Sequence, residues 1–132
     1  MSAPKVSEAA SLILNSKSFA HLATMGTDGM LHSSPVWFDW DGNEILISQT
    51  TSRQKYKNVT QNPVVAISVL DPENPYNYVE IRGKVTSITD DPDFSFIDKM
   101  AKKYIDEDHY PWHQPGDKRV ILHITPDRVL GR

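Results

Sequence analysis

The amino-acid sequence predicts a mainly β protein, a small antiparallel barrel of about six strands with helices at its periphery. Tight-turn signals, MGTDGM at 25–30 and DGN at 41–43, join alternating or apolar segments in the manner of hairpins. VVAISVL at 64–70 is almost continuously apolar and β-branched, as befits a strand inside a sheet. Strands and helices do not alternate along the chain, which argues against a doubly wound parallel sheet.

Residues 7–15 read as an amphipathic helix, with Ser7 as its cap and Ala10, Leu12, Ile13 and Leu14 supplying apolar surface. FAHLAT at 19–24 alternates as a strand, and residues 31–40 form the second arm of a hairpin. A period of two puts His32, Ser34, Val36, Phe38 and Trp40 on one face of that arm, with Ser33, Pro35 and Trp37 on the other. A third strand is expected at 44–49. A helix then runs over 52–61, capped by Ser52, with Tyr56 and Val59 turned inward and Asn62-Pro63 as its stop. Beyond the strand at 64–70, the proline-rich DPENPY loop leads to a long strand at 78–88 whose Val79, Ile81 and Val85 share a face. Gly83 within it marks a bulge or a close approach. Asp91-Pro92 is a helix start, a cap followed by proline at the first helical position, and Phe94, Ile97, Ala101 and Tyr104 keep helical spacing. IDEDHYPWHQPGD at 105–117 is an irregular polar-aromatic loop, and VILHI at 120–124 the last strand.

A chain of 132 residues with no internal repeat and no linker is one domain, 1–132. Its 39% apolar and 23% charged residues describe a soluble globular protein, with no apolar run long enough to span a membrane. The start, MSAPKVSEAA, lacks the apolar core of a signal peptide, and the absence of cysteine is compatible with the cytoplasm. Without cysteine there is no disulfide, thiolate catalysis or zinc–thiolate site. A pI near 5.9 argues against a nucleic-acid partner.

Against that acidic background, TTSRQKYKN at 50–58 stands out. Arg53, Lys55 and Lys57 crowd the positive end of a helix, where each cation costs roughly 0.3–1 kcal/mol. The net charge of −3 with +3 in this segment leaves −6 elsewhere. Free N–H groups and the dipole favour a phosphate there, so the cluster is either an anion site or a solvated basic helix end. Composition alone weighs the two about equally. In HSSPVWF at 32–38, Pro35 implies an edge, a bulge or a break that frees backbone groups to face a flat ring. Taken alone, an ordinary edge strand protected by proline is the better reading. The five histidines show no metal-site spacing except His109 and His113, which Pro111 separates, so no metal is assigned. G-x-S-x-G, P-loop and G-x-G-x-x-G motifs are absent. Tyr110, Trp112 and His113 suit either the cover of a ligand or a subunit interface.

The order of these pieces carries a resemblance. ATMGTDGMLHSSPVWFDWDGNEILIS, then TTSRQKYKN, then NPVVAISVLDPENPYNYVEIRGKV resembles the pyridoxamine 5′-phosphate oxidase-like flavin-binding superfamily. More narrowly it is similar to the coenzyme F420-dependent oxidoreductases of actinobacteria. The motifs HSSPVWF, R-x-K-x-[RK]-N and PY-x-Y-[VL]-E-[IV]-R-G are specific in combination and weak singly; they cover about residues 19–91.

That resemblance implies an FMN-binding-like split β-barrel and a homodimer with cofactors in grooves between the subunits. Arg53 and Lys55 would take the cofactor phosphate, with Lys57 and Asn58 as neighbours. Ser33, Ser34, Pro35, Val36 and Trp37 would lie against the ring. Ser48, Gln49 and Thr50 would meet the phosphate-bearing chain, and Tyr78 and the Trp112 loop would approach from the partner subunit. The chain lacks the long C-terminal extension that carries substrate-binding residues in the vitamin B6 oxidase, so pyridoxamine phosphate oxidation is not expected. The implied activity is that of a cytoplasmic F420-dependent reductase passing a hydride to an unsaturated small-molecule acceptor, with no dedicated acid or base assigned. FMN in the same fold is the first alternative and a non-catalytic F420 carrier the second. Lys57 and Arg82 are candidates for the lactyl-glutamate tail that distinguishes F420 from FMN.

Overall fold

The computed structural model describes residues 4–131. In chain order the elements are α1 (Glu8–Leu14), β1 (Ala20–Met25), β2 (Leu31–Val36), β3 (Asp39–Trp40), β4 (Ile45–Thr50), α2 (Gln54–Gln61), β5 (Val64–Leu70), β6 (Tyr78–Asp90), α3 (Ser95–Ile105) and β7 (Arg119–Gly131). The strands form one antiparallel sheet in the order β2-β1-β5-β6-β7-β4-β3. It is the expected mainly β split barrel: the sheet curls around a core that includes Leu22, Phe38, Ile45, Ile47, Ile67, Ile81, Leu122 and Ile124. Phe96, Ile97 and Met100 of α3 build a smaller cluster against Trp37, Leu46, Tyr110 and Ile121.

The predicted single strand over 31–40 is two strands. β2 and β3 lie at opposite edges of the sheet, and the chain crosses between them at Trp37 and Phe38. Phe38 is fully buried, and side chains satisfy the backbone of this crossing. Its N–H donates to Tyr104 Oη at 3.2 Å, while its carbonyl accepts from Lys103 Nζ at 2.7 Å. Tyr104 Oη donates in turn to the Ser18 carbonyl at 2.8 Å. Burial pushes the Tyr104 phenol up to about 12, so it stays a neutral donor. Pro35 is on the edge strand β2, and the break falls after it rather than at it.

Three other expectations are corrected. Ser52 does not cap α2: the cap position is Arg53, and the Ser52 hydroxyl lies 3.3 Å from Thr50 Oγ1. Pro92 is not the first helical residue of α3, which begins at Ser95 after Phe94 in the left-handed region at φ 61°. Asp91 caps the helix from further back, its carboxylate accepting from the N–H groups of Phe96 and Ile97, each at 3.2 Å. The last strand is more than twice the predicted length. Pro126 lies beyond Ile124, where pairing with β4 ends, so β7 continues with β6 as its neighbour. At α1, Ser7 caps as expected by accepting from Ala10 N–H, but Leu12 is 70% exposed. Gly83 is both bulge and close approach: the register shifts beside it, and a Cβ there would run into the Thr125 carbonyl.

Candidate functional site

Two adjoining clefts open beside the start of α2. The first, about 190 Å³, is lined by Pro35 and Val36 at the end of β2, Trp37 of the crossing, Ser48 and Gln49 of β4, and Arg53 and Lys55 at the start of α2. Phe19, Ile97, Tyr110, Trp112 and Arg119 complete it. The second, about 360 Å³, is lined by His32, Ser33, Ser34, Arg53, Gln54 and Lys55. Arg53 and Lys55 border both, so the two are one groove with cations at its middle.

The start of α2 explains those cations. No side chain caps the helix, and the N–H groups of Gln54, Lys55 and Tyr56 have no acceptor among the described residues. These are the orphan donors of a first helical turn. No acid occupies that turn, and no Asp or Glu lines either cleft. Burial, reinforced by the neighbouring Arg53 charge, lowers the Lys55 pKa. The chain thus brings two cations and free backbone donors together with nothing anionic to meet them among the described residues.

At the other end of the groove the lining is aromatic. Trp37 stacks on Tyr104 with ring centroids 5.2 Å apart and planes within 5° of parallel. Tyr110 meets Trp37 and Trp112 edge to face, at 5.9 and 5.6 Å. Trp112 itself is 56% exposed. The groove thus runs from a cationic, donor-rich helix start to a wall of aromatic rings.

Of the residues named from sequence, Ser33, Ser34, Pro35, Val36, Trp37, Ser48, Gln49, Arg53, Lys55 and Trp112 line this groove. The structure does not bring the other four to it within one chain. Thr50 is buried beside Ser52, and Lys57 points from the exposed side of α2. Asn58 is fully buried: it donates to Thr24 Oγ1 at 3.0 Å and accepts from Gln54 Nε2 at 2.8 Å, which ties α2 to β1. Tyr78 starts β6 and borders a separate hollow against α1. Arg82, a candidate for the cofactor tail, is paired with Glu80 at 3.1 Å.

Sequence reasoning missed Arg119, Phe19 and Ile97. Arg119 opens an apolar strand, where a charge ordinarily reads as a solvated strand end. Its pairing opposite Thr50 instead sets it at the cleft wall, 6% exposed. Its Nη1 donates to Ser48 Oγ at 3.2 Å, and its guanidinium lies 4.6 Å from the Tyr110 ring centre.

A family model described as pyridoxamine 5′-phosphate oxidase matches residues 6–132. A solved structure named an F420 reductase is 40% identical, with 90% of this chain and 94% of that chain covered and a TM-score of 0.81. General Stress Protein 26 from Bacillus anthracis is 20% identical, with 94% and 91% covered and a TM-score of 0.71. A conserved hypothetical protein from Mycobacterium tuberculosis is 22% identical, with 99% and 87% covered and a TM-score of 0.73. The last two share the fold. A comparison with curated proteins gives no match.

Proposed function

The chain belongs to the pyridoxamine 5′-phosphate oxidase family, and from that premise we propose that it is a coenzyme F420-dependent reductase acting on a small unsaturated organic acceptor. The observation that carries the proposal is the uncapped, cation-flanked start of α2 opening into a groove that no Asp or Glu lines. A phosphate there would meet the N–H groups of the first turn together with Arg53 and Lys55. Pro35, Val36 and Trp37 would then lie along the ring, with Trp112 over the open side. When bound, the cofactor supplies a hydride from C5 of its reduced deazaflavin; the chain supplies position and charge.

The second cleft favours F420 over FMN. FMN ends at its phosphate, whereas F420 continues into a lactyl-glutamate tail. A phosphate held by Arg53 and Lys55 has the polar cleft of His32, Ser33 and Ser34 beside it, room that FMN leaves unused. The homodimer belongs to this proposal. It is supported by the edge strand β2, whose first residue Leu31 is 73% exposed and follows Met30 at 64%, and by Trp112.

Titration with F420 and with FMN, followed by quenching of tryptophan fluorescence, tests the reading, since Trp37 and Trp112 both line the cleft. The expected result is saturable quenching by F420 and turnover of its reduced form. Tight FMN binding with no response to F420 contradicts the proposal, and F420 binding without oxidation by any acceptor identifies a carrier instead.

A further inference from the structure

Arg119 is the one lining cation that phosphate binding at α2 leaves unused. Its Nε is enclosed without an acceptor, and no carboxylate pairs with it among the described residues. A buried guanidinium whose sole side-chain hydrogen bond among the described residues goes to a neutral hydroxyl is poorly compensated for its lost hydration. Ser48 on one side and the Tyr110 face on the other hold it against the cleft. It lines the same cleft as Arg53 and Lys55 but enters it from β7, beside Tyr110 of the 106–118 loop.

We propose that Arg119 is a specificity residue for the acceptor: it selects a flat molecule bearing an anionic oxygen, such as a carboxylate, over a neutral one of the same shape. The planar fork of a guanidinium matches a carboxylate, and the aromatic walls match the ring that carries it. The inference rests on the reading of the groove as a cofactor and acceptor site, and adds the charge of the acceptor to it.

The test compares trans-cinnamate with its neutral isostere cinnamamide, each titrated by tryptophan quenching into the F420-loaded protein, where Arg53 and Lys55 are occupied. The same pair is titrated into the apoprotein carrying Lys55→Ala. The wild type is expected to favour cinnamate by about tenfold or more, since a site left with an unpaired buried group rejects the analogue lacking its partner. Arg119→Met should erase that preference while leaving F420 affinity and the apoprotein's melting temperature unchanged, and Arg119→Lys should keep part of it. Equal binding of the two probes by the wild type, or a preference that survives Arg119→Met, overturns the inference. A loss of F420 affinity in Arg119→Met also overturns it, by making Arg119 a cofactor ligand. Should the wild type ignore F420 while the apoprotein with Lys55→Ala still prefers cinnamate through Arg119, the cofactor reading falls and the role of Arg119 stands.

Discussion

The starts of α2 and α3 solve the same problem in opposite ways. Each leaves a turn of backbone N–H groups without helical partners. At α3 the chain answers with its own anion, the buried carboxylate of Asp91, which meets Phe96 and Ile97 and lies 3.4 Å from the Ser95 hydroxyl. At α2 it supplies no cap, places Arg53 at the cap position, and adds Lys55 within the first turn. Both arrangements sit on the same small barrel, so no general property of the fold requires the second. The chain satisfies the α3 start with its own carboxylate and leaves the α2 start donor-rich and cationic.

The sharpest way to break this contrast is to remove the α2 cations. Arg53→Ala with Lys55→Ala is expected to weaken F420 binding by about 100-fold or more, because charge-assisted hydrogen bonds to a phosphate are lost. The apoprotein should keep its melting temperature, and calorimetry of apo and loaded forms separates the two effects. Collapse of the apoprotein would make α2's start structural, like that of α3.

The mirror substitution, Asp91→Ala, leaves buried N–H groups unpaired and should cost roughly 2–3 kcal/mol in urea unfolding. Its effect on F420 affinity should be slight.

Tyr104 sharpens the α3 side further. Tyr104→Phe strands the Phe38 N–H and the Ser18 carbonyl, at a cost of about 1–2 kcal/mol. The phenol titrates higher in the folded chain, at about 12, than in the unfolded one, so its stabilisation is intact below pH 10. That stabilisation is lost as pH climbs from about 10 to about 12. The gap between wild type and Tyr104→Phe should therefore narrow over that interval in alkaline unfolding curves.

The smallest change in stability comes from converting one end into the other. Arg53→Asp gives α2 a capping carboxylate and should stabilise the apoprotein by about 0.5–1 kcal/mol while abolishing F420 binding.

The barrel was legible in the sequence because its signals are local. Turn residues, alternation over 19–24, and the apolar run at 64–70 all speak within a few positions. The crossing at Trp37 and Phe38 was not legible, because the inward and outward alternation continues unbroken through it. His32, Ser34 and Val36 are the less exposed residues of β2, and Phe38 and Trp40 are buried, but Phe38 lies in the crossing and Trp40 on β3 at the opposite edge. Thr125-Pro126-Asp127 resembles a turn until the end of β4 shows that the proline lies where one neighbouring strand is gone. The site was legible where consecutive residues build it, at 33–37 and 53–55. It was hidden where sheet register does, as with Arg119 opposite Thr50. Asn58 failed for a related reason: helix periodicity alone did not reveal that it faces Thr24 inside the barrel.

The central claim is that the first turn of α2 receives the anionic group of a bound cofactor. Backbone amide shifts in a nitrogen-15-labelled sample, followed during F420 titration, test it most directly. The amides of Gln54, Lys55 and Tyr56 should move together and saturate, while that of Phe96, already bonded to Asp91 and outside the cleft lining, stays in place. Saturable binding that leaves the three α2 amides unmoved would contradict the account.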